Sequence, residues 1–195
     1  MPGIVEMMNL QPYKTTPIKQ AEGSLDPIEN QIVWLFRQRA EAAVRIAFHL
    51  TRDHEAALDI SQDAFVKAIQ SIPALEDPAR LSVWFHRIVV NLCRDWIKRQ
   101  QVERKALSKA VSHRVSTNDA SLEMERKESA DQIQTELLKL PLDYREAVIL
   151  VCVEELTPKD AAQVLGIPDG TLRSRLHEGR KMLRELLGAE QPEER

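Results

Sequence analysis

Apolar residues in the first hundred positions recur every three or four residues, in three consecutive segments. The first begins at Asp26, an N-cap residue followed by Pro27 and, three residues after the cap, by Glu29. A second segment covers about 55–71 and a third about 82–103, with a proline-bounded loop at 73–81 between them. The sequence therefore predicts three helices here. Their apolar positions are Ile32, Leu35, Phe36, Ala43, Ile46, Ala47 and Leu50, then Ala57, Ile60, Ala64 and Ala68, then Phe85, Ile88, Val89, Leu92 and Trp96.

In the second half the pattern fades at about 104 into polar and charged residues and returns near 131, which predicts a linker over 104–130. Further helices follow over about 131–140, 144–154 and, after the cap Thr157, 158–165. Gly166 supplies a turn before a last helix at about 168–187. No segment alternates as a strand does. We predict an all-α chain of two small helical domains, 26–103 and 131–188, joined weakly by a flexible linker and flanked by tails at 1–25 and 189–195.

Composition narrows the class of protein. With 195 residues, 43% of them apolar, the chain can bury a core. Its two cysteines, Cys93 and Cys152, are too few for a disulfide framework, and we expect both to be small core residues. No apolar run is long enough to span a membrane, and the N-terminus has no secretory pattern, so we expect a cytoplasmic protein without membrane insertion.

Charge is segregated although the net charge is only −3. The segment 80–105 carries a net charge of +5 and 171–184 one of +4, whereas 116–136 carries −4. Ordinary solvated helix faces would explain any single run. Two basic runs, each on a helix with an apolar back, favour two surfaces that face a polyanion.

Residues 158–184 have the spacing of a helix-turn-helix. In its second helix a buried stripe is predicted at Leu172, Leu176, Gly179 and Leu183. An Arg or Ser near the start of such a helix can reach base edges and phosphates in a major groove. A helical hairpin with a basic face is the alternative. The outward candidates for DNA contact are Thr171, Arg173, Ser174, His177 and Lys181, with Arg175 beside them.

The second helix has an acidic outward face formed by Asp59, Gln62, Asp63 and Val66. Acids edged by an apolar residue suit the docking of a basic helix from another protein, although a plain solvated face is also consistent with the pattern. A metal site that uses both aspartates and the nearby His54 is a weaker alternative, because it lacks a third fixed ligand.

The third predicted helix opposes its apolar stripe with a largely basic row. Asn91 can both donate and accept, so it is the best candidate for reading a base edge. No phosphate-binding glycine loop or catalytic triad pattern is visible, and we expect neither an enzyme nor a cofactor. The candidates in the row are Arg87, Asn91, Arg94, Asp95 and Lys98.

Two blocks of sequence resemble the extracytoplasmic-function sigma factors of bacterial RNA polymerase. The first, similar to their region 2, combines Asp59-Ile-Ser-Gln-Asp-Ala-Phe65, Trp84-Phe-His-Arg-Ile88 and Val90-Asn-Leu92 with Asp95. The second, similar to region 4, combines Leu140-Pro-Leu-Asp-Tyr-Arg-Glu-Ala147, Ala161-Ala-Gln-Val-Leu-Gly-Ile167 and Gly170-Thr-Leu-Arg-Ser-Arg-Leu176. Together the blocks cover about 160 residues, 28–188.

The resemblance implies a role for each surface. Asp59, Gln62 and Asp63 would dock on the clamp helices of the polymerase β′ subunit, with Val66 at the edge of that face. The loop 73–81, which includes Leu75, would with Asn91 capture a base flipped from the −10 element of promoter DNA. Region 4 would contact the −35 element and the β flap, the linker would thread through the polymerase, and an anti-sigma factor is an expected partner.

Two positions depart from the family pattern. Leu75 stands where many members carry an aromatic residue, and Glu178 places a negative charge near the expected DNA. A self-sufficient helix-turn-helix regulator, dimeric and independent of polymerase, is the rival interpretation. It leaves the acidic Asp59 and Asp63 face unexplained. A carboxylate-metal hydrolase is a distant third.

Overall fold

Helices make up all the regular structure of the described residues, as predicted. The computed structural model describes residues 26–108 and 124–188; the predicted tails at 1–25 and 189–195 and the linker centre at 109–123 lie outside them. Among the described residues there are seven α-helices. They are α1 Pro27–Thr51, α2 His54–Ser71, α3 Leu81–Ser108, α4 Met124–Lys139, α5 Leu142–Val148, α6 Pro158–Leu165 and α7 Asp169–Leu186.

Short irregular turns complete these elements. Two 3₁₀ turns, Ile72–Ala74 and Pro78–Arg80, form the loop between α2 and α3. A π turn, Ile149–Val153, extends α5, so the predicted helix over 144–154 is continuous only to Val148 in its α form. Helices α3 and α4 also reach into the predicted linker at 104–108 and 124–130. None of the helices in the described part of the chain is long and apolar enough to cross a membrane.

Local capping fixes where helices begin. Asp26 accepts a hydrogen bond from the Glu29 backbone at 2.8 Å while the Glu29 carboxylate accepts one from the Asp26 backbone, the reciprocal arrangement that the sequence predicts. Thr157 accepts from the Asp160 backbone at 3.1 Å and so caps α6. Both caps satisfy backbone donors that have no partner within the helix.

The predicted stripes are largely buried. Leu172, Leu176, Gly179 and Leu183 are the buried residues of α7, as predicted. The prediction is wrong for Phe36, whose side chain is 46% exposed and stacks on Phe65 with ring centroids 4.1 Å apart. Cys93 is fully buried, and its burial raises the thiol pKa to about 12, whereas Cys152 is only half-buried and accepts from Arg180 at 3.3 Å.

The two halves of the chain share one core, which differs from the expected weakly held pair. Helix α3 packs against α6, and α1 contacts the π turn. Arg145 ties the halves together as well, because its guanidinium donates to the carbonyl oxygens of Leu50, Leu138 and Leu140 at 2.9–3.1 Å. Sequence reasoning missed this interface because its partners are far apart in the chain and no local pattern connects them.

Candidate polymerase-docking and DNA-binding surfaces

The acidic face of α2 is exposed as predicted. Asp59, Gln62 and Asp63 point outward, and Val66 is 53% exposed beside them. Neither aspartate has a hydrogen-bond or ion-pair partner within residues 26–108 and 124–188, so their charges are available to a basic partner. Like charges one turn apart repel each other slightly, which such a partner would relieve.

This face has an apolar border wider than the sequence indicated. Phe36 from α1 and Leu58 and Ile69 from α2 are each more than 40% exposed. Aromatic and aliphatic side chains around unpaired acids resemble the mixed character of a protein-docking surface more than that of a solvated helix. Metal binding finds no support, because the described residues contain no cluster of three or more His, Cys, Asp or Glu side chains suited to a cation.

The row along α3 is only partly free. Arg87, Asn91, Asp95 and Lys98 are exposed, as the predicted face requires. Arg94 differs: its Nε and Nη2 atoms each lie 2.6 Å from an oxygen of the Glu146 carboxylate on α5. The side chain of Glu146 is fully buried, so the Arg94 charge is already paired, although 32% of the Arg94 side chain remains exposed.

The loop before α3 is anchored to the core at both ends by Ile72 and Leu81, which are buried. Leu75 lies between the two 3₁₀ turns and is half-buried against the core. Asp77 caps the second turn by accepting from the Ala79 backbone at 3.0 Å. The loop therefore has defined ends, and it is joined directly to the start of the helix that carries Asn91.

The helix-turn-helix forms as predicted. Gly166 has φ +69°, a left-handed conformation that glycine adopts without strain, and its backbone N–H donates to Gln163 O at 3.3 Å. The outward residues of α7 are exposed, apart from Arg175, which is half-buried with Nη2 2.5 Å from Asp143 Oδ2. The exposed set is Thr171, Arg173, Ser174, His177 and Lys181.

Gly179 sets how closely α7 approaches α5. A Cβ atom added there would lie 2.9 Å from Val148 Cγ2 and 3.1 Å from the Tyr144 carbonyl oxygen. The absence of a side chain therefore allows close backbone packing and fixes the direction in which the exposed face of α7 points.

Sequence reasoning missed two buried acids that contact the first half of the chain. Besides Glu146, Glu154 accepts from Arg45 Nε at 2.8 Å and Nη2 at 2.7 Å. Burial raises the pKa of Glu154, which the adjacent Arg45 guanidinium opposes. The two acids lie directly before and after the apolar run Ala147–Val153. A charged residue that adjoins such a run is expected to be buried with a charge partner, but the sequence does not indicate which residue that partner is.

Comparison with known families agrees with this arrangement. Residues 35–103 match the family model for sigma-70 region 2, and residues 130–183 match that for sigma-70 region 4. The chain is 34% identical over 154 residues to the ECF RNA polymerase sigma factor SigM of Mycobacterium tuberculosis, covering 79% of this chain and 76% of SigM. It is 33% identical over 156 residues to SigE of Mycolicibacterium smegmatis, covering 78% of this chain but only 60% of SigE.

A solved structure shares the fold. The sigma factor RpoE of Bartonella quintana, crystallised with the anti-sigma factor NepR, superposes with a TM-score of 0.67 at 25% identity, covering 83% of this chain and 99% of RpoE. Both family regions occur in the expected order, and the relatives extend across the segment that joins them. The chain therefore belongs to the extracytoplasmic-function sigma factors of bacterial RNA polymerase.

Proposed function

We propose that this protein binds core RNA polymerase in the cytoplasm and directs it to promoters by contacting their −35 and −10 elements. Three surfaces on three different helices support this proposal, and the unpaired acidic face of α2 carries it. A stand-alone DNA-binding regulator needs the helix-turn-helix but has no use for exposed aspartates bordered by apolar side chains.

The acidic face is the surface that we assign to the polymerase. Asp59, Gln62, Asp63 and Val66 would meet the β′ clamp helices, where basic side chains could pair with the two carboxylates. Exposed ion pairs each contribute at most about 1 kcal/mol, so the apolar border must supply much of the binding energy.

DNA contact is assigned to two helices. On α3, Asn91 with Leu75 of the preceding loop would hold a flipped −10 base, and Arg87, Asp95 and Lys98 lie along the same row. Base flipping costs a few kcal/mol, which stacking and hydrogen bonds in the pocket would offset. On α7, residues Thr171, Arg173, Ser174, His177 and Lys181 would enter the major groove of the −35 element, with Arg175 held beside them by Asp143.

The protein contributes recognition and no covalent chemistry, which the polymerase performs. Each DNA surface alone is small, and attachment of both to one polymerase lets two weak contacts act together through effective concentration. Region 4 would also contact the β flap. An anti-sigma partner is included in the proposal because the related RpoE is seen in complex with one.

Co-elution of the purified protein with sigma-free core RNA polymerase on a sizing column tests the proposal. We expect a stoichiometric complex, and we expect Asp63→Arg to disrupt it. Glu103→Arg is the control: it makes the same reversal of charge at an exposed site away from the acidic face, and it should leave the complex intact. Asp63→Arg should leave thermal stability almost unchanged because the residue is exposed. Absence of a complex, with a dimeric free protein that binds DNA alone, would instead establish the stand-alone regulator.

A further inference from the structure

An exposed apolar patch runs along the adjoining sides of α1 and α2. On α1, Ile28 and Phe36 are 39% and 46% exposed, and on α2, Leu58, Val66 and Ile69 are 41%, 53% and 43% exposed. These are five of the eight large apolar side chains that are exposed in the described part of the chain. Single exposed apolar residues are ordinary, whereas a group of this size marks a surface that another segment covers.

Carboxylates line one edge of this apolar patch. Glu55, Asp59 and Asp63 follow one another at four-residue intervals on α2, so they form a carboxylate row about 12 Å long. All three are exposed, and none has an ion-pair or hydrogen-bond partner within residues 26–108 and 124–188. A segment that covers the patch should therefore combine apolar side chains with cations.

The N-terminal part of the chain, 1–25, which lies outside the described residues, contains one segment with that composition. Residues 11–20 carry Lys14 and Lys19 and no acid, so their net charge is +2. An apolar residue directly precedes each lysine, because Tyr13 comes before the first and Ile18 before the second. The segment therefore complements, in both charge and apolar character, a patch that carboxylates border.

The relative level of α1 and α2 shows how far this segment must reach. Only two residues join the helices, so α1 and α2 run antiparallel, and the stacked rings of Phe36 and Phe65 mark one common level along them. The start of α1 lies about 14 Å from that level in one direction, and Asp63 lies about 3 Å from it in the other. The distance along the helices from the start of α1 to Asp63 is therefore about 17 Å.

The chain before α1 is long enough to cover this distance. The seven residues from Lys19 to Asp26 span at most about 25 Å, which is enough to bring Lys19 to Asp63. Lys14 lies five residues further from the helix, a span of at most about 18 Å. Since the carboxylate row is about 12 Å long, Lys14 can reach its far end at Glu55 while Lys19 stays at Asp63.

We propose that residues 11–20 dock on the apolar patch and its carboxylate row, and that core polymerase must displace them in order to bind α2. Exposed ion pairs are individually weak, but a segment tethered close to its site has a millimolar effective concentration there. The competition with polymerase rests on the proposed function, whereas the docking depends only on this chain. The segment thereby tunes how readily the acidic face of α2 is available.

Paramagnetic broadening in NMR spectra of the full chain tests the docking without polymerase. A nitroxide is attached at Thr16→Cys, between the two lysines, in a Cys152→Ser background. The native Cys93 is buried and its thiol pKa is raised to about 12, so it does not take the label. We expect the amide signals on the outward side of α2 to be lost, while those of α7 remain.

Two variants of the segment show whether its charge causes the contact. Lys14→Gln with Lys19→Gln removes both charges and should restore the α2 signals, whereas Lys14→Arg with Lys19→Arg keeps the charges and should preserve the signal loss. Equal signals in the two variants, or no signal loss on α2 in the parent chain, would overturn the proposal. So would signal loss in an isotope-labelled chain mixed with a separate nitroxide-labelled chain, because a second copy would then supply the segment.

The affinity for core polymerase, measured on the same two variants without the nitroxide, tests the competition. If about two in three wild-type molecules are covered, Lys14→Gln with Lys19→Gln should bind polymerase about threefold more tightly than the wild type. The arginine variant should bind as the wild type does. Signal loss on α2 with equal polymerase affinity in both variants would overturn the competition. Absence of any polymerase complex would instead contradict the proposed function, and the NMR result would still decide the docking.

Discussion

Gly179→Ala tests whether close contact between α7 and α5 sets the geometry of the helix-turn-helix. In an open helix position, this change gains about 1 kcal/mol from helix propensity. Here the new methyl group would lie 2.9 Å from Val148 Cγ2, 3.1 Å from Tyr144 O and 3.3 Å from Tyr144 Cβ. A β-branched side chain and a backbone carbonyl cannot move aside easily, and overpacking of this kind costs about 1–3 kcal/mol.

The net expectation is a loss of about 1 kcal/mol in the free energy of unfolding, because the overpacking cost exceeds the gain in propensity. Gly170→Ala is the matched control in the same helix, because a Cβ there meets no atom within 4 Å. That control should gain up to about 1 kcal/mol. The two glycines thus predict opposite signs for one chemical change.

Urea unfolding followed by far-UV circular dichroism measures both variants, with the slope against urea checked for constancy. Trp34, Trp84 and Trp96 all lie in α1 and α3, so their fluorescence reports the first half separately. Val148→Ala should relieve the crowding, so that the double variant is more stable than the sum of the two single changes predicts. A Gly179→Ala protein as stable as Gly170→Ala would refute the packing argument.

Three further outcomes are expected. Arg173→Ala should cost about 1–3 kcal/mol in binding of the holoenzyme to its own promoter, if the side chain makes a direct base contact; unchanged transcription would contradict that role. Burial lowers the pKa of His86 from 6.5 to about 4. Between these pH values the folded chain binds fewer protons than the unfolded chain, so the free energy of unfolding falls as the pH drops from 6.5 towards 4. Neither ring nitrogen of His86 has a hydrogen-bond partner among the described residues. His86→Leu should therefore raise the free energy of unfolding at pH 7 by about 1 kcal/mol and make stability depend less on pH. A variant that loses stability as steeply as the wild type on acidification would refute this. Arg145→Met should lower the free energy of unfolding by about 3 kcal/mol, because three carbonyl groups lose their hydrogen-bond donor. Thermal unfolding measures this loss, and a change below about 0.5 kcal/mol would show that water replaces the guanidinium.

Local chemistry made the helix boundaries predictable from the sequence. Asp26 and Thr157 cap helices through residues three positions away, and Gly166 turns the chain by its own backbone freedom. The outward direction of Asp63 likewise follows from the buried stripe Ala57, Ile60, Ala64 and Ala68, which lies on another side of the same helix. These interactions span a few residues, so a local pattern contains all that is needed to infer them.

Other features of the candidate site required the folded chain. The sequence predicts a continuous basic row on α3, yet the charge of Arg94 is paired with a glutamate 52 positions later. Arg45 and Glu154 are separated by 109 positions. Either acid has several arginines of equal chemistry available, and nothing in the local sequence selects among them.

The sequence alone determined the helices, most of the faces they present and the family to which the chain belongs. It could do so because helical periodicity, capping and turn formation depend on residues within one or two turns of each other. Tertiary structure alone decided that the two halves share a core and that Glu146 neutralises Arg94. Such a pair forms only where the packing of distant helices excludes water from the carboxylate, and that exclusion is a property of the assembled molecule.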